Sequence, residues 1–157
     1  MKYFLTAALA VSALLVTGSV FAAGSSSATT TSAPLAFTQA KKLVEAKNYR
    51  SAVQLLEKVV KKQTKNADAW NLLAYSNRKL ENFELALTQY KTALKLEPTH
   101  KGANEYLGKL YLEIGELRKA QEKLNILNRM CTDSFVGCAE YNELKDGIAD
   151  FLSSQSD

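Results

Sequence analysis

Equivalent residues recur along this chain with a period of 34 residues. Alanine stands at three such positions, Ala52, Ala86 and Ala120. The same spacing relates two further series, which are Leu56 with Tyr90 and Leu124, and Ala40 with Ala74 and Gly108. A fixed period of this length is typical of stacked helix-turn-helix units, which bury their apolar faces only against one another. Such a stack favours a surface that binds other chains over a pocket that performs chemistry.

The second unit shows how each segment forms a pair of helices. Its apolar residues recur at three- and four-residue intervals over residues 70–80 and again over 83–94, which predicts two amphipathic helices. Small side chains at Ala74 and Ala86 let the two backbones approach closely, and Pro98 cannot continue the second helix. The core positions predicted across the units are Ala52, Leu56, Trp70, Leu73, Ala74, Ala86, Tyr90, Ala93, Pro98, Leu107, Gly108, Tyr111 and Ala120.

The motif residues of the second unit are Trp70, Leu73, Ala74, Ala86, Tyr90, Ala93 and Pro98. They resemble the pattern of the tetratricopeptide repeat (TPR) family, with one departure at Asn77, where the family usually has a tyrosine or another large apolar residue. The third unit matches at Leu107, Gly108, Tyr111 and Ala120. The first unit departs at Ala36 and Gln39 and matches only in its second helix.

The resemblance covers roughly residues 33 to 134 and implies an all-α fold. The expected architecture is a right-handed α-solenoid of three TPR units, at about residues 33–66, 67–100 and 101–134, with a capping helix after them. A stack of this kind needs a terminal helix that covers its last apolar face. Residues 138–153 fit that role, because Tyr141, Leu144, Ile148 and Phe151 recur there at helical spacing.

The first 22 residues have the features of a secretory signal peptide. Lys2 gives a positive start, residues 4–16 form an apolar run, and Val20 and Ala22 place small residues before a cut after Ala22. A retained membrane anchor is the alternative, although the run is shorter than the roughly 20 apolar residues that span a bilayer. After cleavage we expect a protein of the bacterial periplasm without stable membrane insertion.

Three further segments follow the signal peptide. Residues 23–34 contain Gly, Ser, Ala and Thr without any charge, which predicts a flexible linker. The repeat domain is expected over residues 35–134. Residues 135–157 would supply a disulfide-closed loop, the capping helix and a short tail.

The chain has two cysteines, Cys131 and Cys138, which flank the loop before the capping helix. In an oxidising compartment a pair across so short a loop predicts a disulfide. A redox pair is the alternative, but the Cys-x-x-Cys spacing is absent. A zinc site would need further ligands, and the one histidine, His100, lies before the third unit.

A second stripe of residues runs along the first helix of each unit. It comprises Phe37, Lys41 and Val44, then Asn71, Tyr75 and Arg78, then Glu105, Lys109 and Leu112. The TPR resemblance implies that these positions line the groove that binds a partner. Apolar and aromatic contacts beside three basic groups suit a protein or peptide segment with acidic and apolar residues. The alternative is an ordinary solvated helix face.

Catalytic and cofactor signals are absent from the sequence. There is no glycine-rich phosphate loop or cluster of metal ligands, so we expect no enzyme, no cofactor and no metal site. The net charge is +4, and Lys58, Lys61, Lys62 and Lys65 give the first unit a basic face. Acidic partners or an anionic membrane could contact that face, whereas no recognition motif indicates nucleic-acid binding.

These observations predict a non-catalytic scaffold or adaptor that helps to assemble or organise a complex of the cell envelope. Two alternatives stay open at this point. The stack could pair through its exposed edges to form a homo-oligomeric scaffold. Its groove could instead hold a small amphipathic ligand.

Overall fold

The computed structural model describes residues 33–131 and 138–155, which form seven α-helices and no strand. The helices are α1 (Ala33–Glu45), α2 (Tyr49–Lys62), α3 (Ala67–Lys79), α4 (Phe83–Leu96), α5 (Lys101–Glu113), α6 (Leu117–Cys131) and α7 (Ala139–Ser153). The first six pack as three successive hairpins, and α7 packs against α5 and α6. The predicted all-α solenoid of helical repeats is confirmed.

Some sequence-based predictions lie outside the described residues. The signal peptide falls on residues 1–22 and most of the linker on residues 23–32, so both stay predictions. Helix α1 begins at Ala33, slightly before the expected end of the linker at Pro34, and a proline is tolerated in the first turn of a helix. Among the described helices, none combines the length and the apolar character needed to cross a lipid bilayer.

Polar side chains start the helices by accepting hydrogen bonds from free backbone N–H groups. Asn48 caps α2 by accepting from the Ser51 amide at 3.3 Å, and Asn66 caps α3 by accepting from the Ala69 amide at 2.9 Å. His100 caps α5 in the same way, since its Nδ1 accepts from the Ala103 amide at 3.2 Å. These caps fix where α2, α3 and α5 begin.

Each hairpin turns through one residue in the left-handed region, and these residues also repeat every 34 positions. They are Lys47 at φ 57°, Glu81 at φ 62° and Gly115 at φ 77°. The amide of the following residue then donates to a carbonyl five positions back, as in a Schellman turn. The three bonds are Asn48 N to Leu43 O at 2.8 Å, Asn82 N to Asn77 O at 2.9 Å, and Glu116 N to Tyr111 O at 2.7 Å.

All but two of the predicted core residues are buried. The first exception is Trp70, which is only half-buried and donates its Nε1 proton to the carbonyl of Thr64 at 3.0 Å. The second is Pro98, which is exposed just beyond the end of α4, where it acts as a helix stop. The core assignment was therefore wrong for Pro98, whereas Trp70 packs against the core cluster that contains Leu56 and Leu73.

The hydrogen bonds of Asn77 account for its departure from the family pattern. Its side chain is 2% exposed, and its Nδ2 donates to Gln89 Oε1 at 2.9 Å. Its Oδ1 accepts from Asn82 Nδ2 at 3.2 Å. Two hydrogen bonds to the α4 side of the hairpin therefore take the place of the usual apolar packing, which satisfies the buried amide.

The capping helix α7 closes the end of the stack. Leu144 is fully buried and lies directly against Gly108, where an added methyl group would overlap its side chain. A disulfide between Cys131 and Cys138 joins the end of α6 to the residue before α7, as predicted. Closing so short a loop stabilises the fold by about 2 to 3 kcal/mol in the chain-entropy account.

The left-handed turns generate a stability prediction. Glu81→Gly should raise the free energy of unfolding by about 1 kcal/mol, because glycine adopts positive φ without the steric penalty of a Cβ. The matched control Glu84→Gly places the same change inside α4 and should lower stability by roughly 0.5–1 kcal/mol. Urea unfolding followed by circular dichroism measures both. Stability changes of the same sign in the two variants would contradict the role of the turn.

Candidate functional site

The first helices of the hairpins, α1, α3 and α5, form one face, which we call the groove. Helix α3 contacts both α1 and α5, so the predicted stripe residues come together on neighbouring helices. Six of them are exposed or half-buried: Phe37, Lys41, Val44, Tyr75, Lys109 and Leu112. The other three, Asn71, Arg78 and Glu105, are 9%, 6% and 3% exposed. These three belong to the floor of the groove and are not the solvent-facing groups that the stripe predicted.

Three tyrosines form a continuous aromatic cluster in the groove. The rings of Tyr49 and Tyr75 meet edge to face with centroids 6.0 Å apart, and those of Tyr75 and Tyr106 are tilted at 4.9 Å. Burial is the main cause that raises the pKa values of Tyr75 and Tyr106 above the ordinary value of 10.0. Only Tyr75 belongs to the predicted stripe. Tyr106 stands one position beyond the stripe residue Glu105, and Tyr49 is the first residue of α2.

Two neighbouring depressions open along the groove beside this cluster. The larger, of about 290 Å³, is lined by Val44, Glu45, Lys47, Tyr49, Leu72, Tyr75 and Tyr106. The smaller, of about 210 Å³, is lined by Phe37, Lys41, Asp68, Asn71 and Leu72. Leu72 borders both. The groove therefore offers apolar and aromatic walls with charged groups at the edges, which suits side chains of a bound segment.

Arg78 is held inside the groove by groups of the protein itself. Its Nη1 donates to Glu113 Oε1 at 2.7 Å, which links α3 to α5. Its guanidinium also lies 5.5 Å from the ring centre of Tyr75 and 5.9 Å from that of Tyr106. Glu113 therefore neutralises Arg78 and aromatic rings cover it, while its contact with a partner stays a prediction.

Lys109 is likewise neutralised within the chain. Its Nζ lies 2.6 Å from Glu105 Oε1 and 2.7 Å from Glu143 Oε2, so it bridges α5 to the capping helix. Of the three predicted basic groups, Lys41 alone remains exposed, with its Nζ 5.8 Å from the ring centre of Phe37. Lys79 is a further exposed cation, and its Nζ lies 5.7 Å from the ring centre of Tyr75.

Glu105 has the most perturbed carboxyl group of the site. Burial raises its pKa from 4.5 to about 7, although the neighbouring Lys109 works in the opposite direction. The pKa of Lys109 is raised, because its hydrogen bonds to Glu105 and Glu143 outweigh its burial. The hydrogen bond from Lys109 holds the pKa of Glu143 below 4.5. The three groups therefore form one coupled network.

Several buried polar atoms of the groove lack a hydrogen-bond partner among the described residues. They include Asn71 Oδ1 and Arg78 Nε, both on α3. Buried polar groups are almost always satisfied in folded proteins, so two exceptions on one helix are unusual.

His100 has a structural explanation. Because its Nδ1 accepts the capping bond from Ala103, its Nε2 carries the proton, and that nitrogen lies 3.1 Å from Asp68 Oδ1. The histidine thus ties the start of α5 to the first turn of α3. Over residues 33–131 and 138–155, no three His, Cys, Asp or Glu side chains are grouped as a metal site would require.

Comparison with known proteins identifies the family. Residues 45–128, more than half of the chain, match the sequence model of a family described as anaphase-promoting complex, cyclosome, subunit 3, which is of the TPR type. The chain belongs to this tetratricopeptide repeat family. No curated protein matches this TPR chain in a sequence search.

Solved structures support the same fold. The TPR2B domain of yeast Sti1, in a complex with pHsp70, has a TM-score of 0.70 at 17% identity, covering 78% of this TPR chain and 97% of that domain. The translocator chaperone SycD of Yersinia enterocolitica has a TM-score of 0.69 at 11% identity, and the match covers 78% of this chain and 84% of SycD. SycD in complex with a peptide of the translocator YopD has a TM-score of 0.64 at 14% identity, and the match covers 76% of this chain and 88% of that SycD chain. At these identities the likeness shows the fold.

The raised pKa of Glu105 predicts how stability depends on pH. The unfolded chain loses the Glu105 proton near pH 4.5, whereas the folded protein keeps it to about pH 7. Between those values ionisation of Glu105 favours the unfolded state, so its contribution should lower the unfolding free energy as pH rises, by roughly 1–2 kcal/mol once solvent screening is allowed for. The shifts of Glu143 and Lys109 act below pH 4.5 and above pH 10.5, outside this window.

Glu105→Gln should remove most of that fall, because the amide does not ionise. The control Glu122→Gln changes an exposed residue of α6 and should retain the wild-type pH dependence. Urea unfolding at several pH values from 4.5 to about 8 compares the three proteins. An equal slope in wild type and Glu105→Gln would show that Glu105 does not titrate as described.

Proposed function

We propose that this TPR protein is a non-catalytic scaffold that binds a segment of a partner protein in the groove. The observation that carries the proposal is the cluster of Tyr49, Tyr75 and Tyr106 beside two open depressions. Tyrosine is enriched at the energetically dominant positions of interfaces, since it combines a large apolar ring with a polar tip. Two depressions that share Leu72 suit two neighbouring side chains of one bound segment.

The geometry also specifies the chemistry of the partner more closely. Arg78 and Lys109 already have carboxylate partners, so apolar side chains of the segment should dominate its affinity. Carboxylates of the segment would pair with Lys41 and Lys79, which are exposed at the edges.

The solved neighbours support a role in protein binding. SycD is described with a peptide of the translocator YopD, and the Sti1 domain is described with pHsp70. The YopD peptide and pHsp70 are ligands of SycD and Sti1, respectively. For this chain, we propose a protein or peptide partner, with assembly or organisation of an envelope complex as the process.

Two features support an extracytoplasmic location. The signal-like segment at residues 1–22 would direct export, and the disulfide between Cys131 and Cys138 is of a kind that persists in oxidising compartments. We therefore propose the bacterial periplasm as the location of the protein. Expression of the full-length chain in a Gram-negative host tests this: the protein in the periplasmic fraction should have a mass that lacks residues 1–22. A full-length mass in the cytoplasmic fraction would contradict export.

The groove is tested with the double variant Tyr75→Ala/Tyr106→Ala. Loss of two interface rings should weaken capture of partner polypeptides from native periplasmic extract by at least about tenfold. The variant leaves Arg78 in place, because removal of Arg78 would leave the Glu113 carboxylate without its ion-pair partner. Quantitative mass spectrometry of the captured proteins gives the measurement.

The control for this experiment is Leu85→Ala/Leu96→Ala on α4, which truncates two exposed apolar residues away from the groove. It should capture the same polypeptides as the wild type. Thermal melting confirms that all three proteins are folded. Equal capture by the tyrosine variant and the wild type would exclude the groove as the binding surface.

A further inference from the structure

Charged residues are distributed unevenly along the stack. Residues 33–66 contain eight Lys or Arg and two Glu. Helix α7, at the other end, contains four acidic residues and one lysine. The first hairpin is therefore basic and the capping helix acidic. Apart from Glu143, which binds Lys109, these charged surfaces lie outside the groove.

The basic surface is a row on the outer side of α2. Lys58, Lys61 and Lys62 are exposed at spacings of three and four residues, on the side of the helix opposite its buried residues Leu56 and Val59. Across the part of the chain that the structure describes, none of these three lysines pairs with a carboxylate. The helix dipole accounts for cations in the last turn, such as Lys61 and Lys62, and leaves Lys58 unexplained.

The acidic surface is a matching row on α7. Glu143, Asp146 and Asp150 are exposed at spacings of three and four residues, on the side opposite the buried Leu144 and Ile148. Glu143 already binds Lys109. Asp146 and Asp150 form no ion pair with any described residue.

We infer that the chain associates head to tail with a second copy of itself, through the basic row on α2 and the acidic row on α7. The rows lie at opposite ends of the stack, since α2 packs only against α1 and α3, whereas α7 packs only against α5 and α6. Opposite charges can then face each other across the contact. Because the two contact surfaces differ, a pair of copies keeps one basic row and one acidic row free for further copies.

A second copy fits these charges better than an anionic membrane does. Residues 67–157 contain 14 acidic and 11 basic residues, so a membrane that attracts the first hairpin would repel the remainder of the chain. A second copy neutralises both rows in a single contact. Exposed ion pairs are individually weak, so the association should be concentration-dependent and sensitive to salt.

Sedimentation velocity of the purified protein tests the inference. At roughly 10 mM salt, where the Debye length is about 30 Å, the weight-average sedimentation coefficient should rise with protein concentration. At roughly 1 M salt it should stay at the monomer value. A monomer at every concentration in low salt would overturn the inference.

Charge reversal identifies the surfaces. The variants Lys58→Glu/Lys61→Glu/Lys62→Glu and Asp146→Lys/Asp150→Lys should each lose association at least about tenfold, since both rows then carry the same sign. An equimolar mixture of the two variants should associate again, because each row meets its opposite. The control Lys91→Glu/Lys95→Glu reverses two exposed lysines of α4 and should associate as the wild type does.

Two further measurements keep the test decisive. If the triple variant does not fold, as judged by circular dichroism, Lys58→Gln/Lys62→Gln replaces it and should still weaken association.

Wild-type protein is also mixed with vesicles of phosphatidylglycerol and of phosphatidylcholine. Binding to the anionic vesicles by a protein that remains monomeric would assign the basic row to a membrane and overturn self-association. Association that survives both charge reversals would overturn it as well.

Discussion

Close approach of paired helices at small side chains is the contact on which the other features depend. Ala52, Ala86 and Ala120 are fully buried, one in the second helix of each hairpin. Side chains of this size let the backbones come together, so that larger residues such as Tyr90 fill the space beside them. Since the contact recurs every 34 residues, the left-handed turns recur with it, and the first helices of successive hairpins lie side by side.

That arrangement gathers the buried polar groups on the helices of the groove. All six buried polar or charged residues of the described chain lie on α3 and α5: Asn71, Ser76, Asn77, Arg78, Asn104 and Glu105. Burying such groups opposes folding unless every atom finds a partner. The hydrogen bonds of Asn77 are satisfied inside its own hairpin, and Glu105 pairs with Lys109, whereas Asn71 keeps an unpartnered oxygen. These buried polar residues therefore stabilise the fold less than apolar residues at the same positions would.

The fold could be predicted from the sequence because helix periodicity and the 34-residue spacing are both local patterns. Details of the groove could not be predicted from the sequence, because they depend on contacts between residues far apart in the chain. Arg78 is neutralised by Glu113, 35 residues later, and Lys109 by Glu143, 34 residues later. Only Gly115 marked a left-handed turn by residue type, whereas Lys47 and Glu81 adopt that conformation without glycine. Tertiary context outweighed local preference at these two residues.

The contact between Leu144 and Gly108 has a consequence for the seating of α7. In the first two hairpins the equivalent positions hold Ala40 and Ala74, and a glycine at the third makes room for a leucine of α7. A side chain at position 108 would force Leu144 to shift, so the seating of α7 on the third hairpin depends on the glycine there.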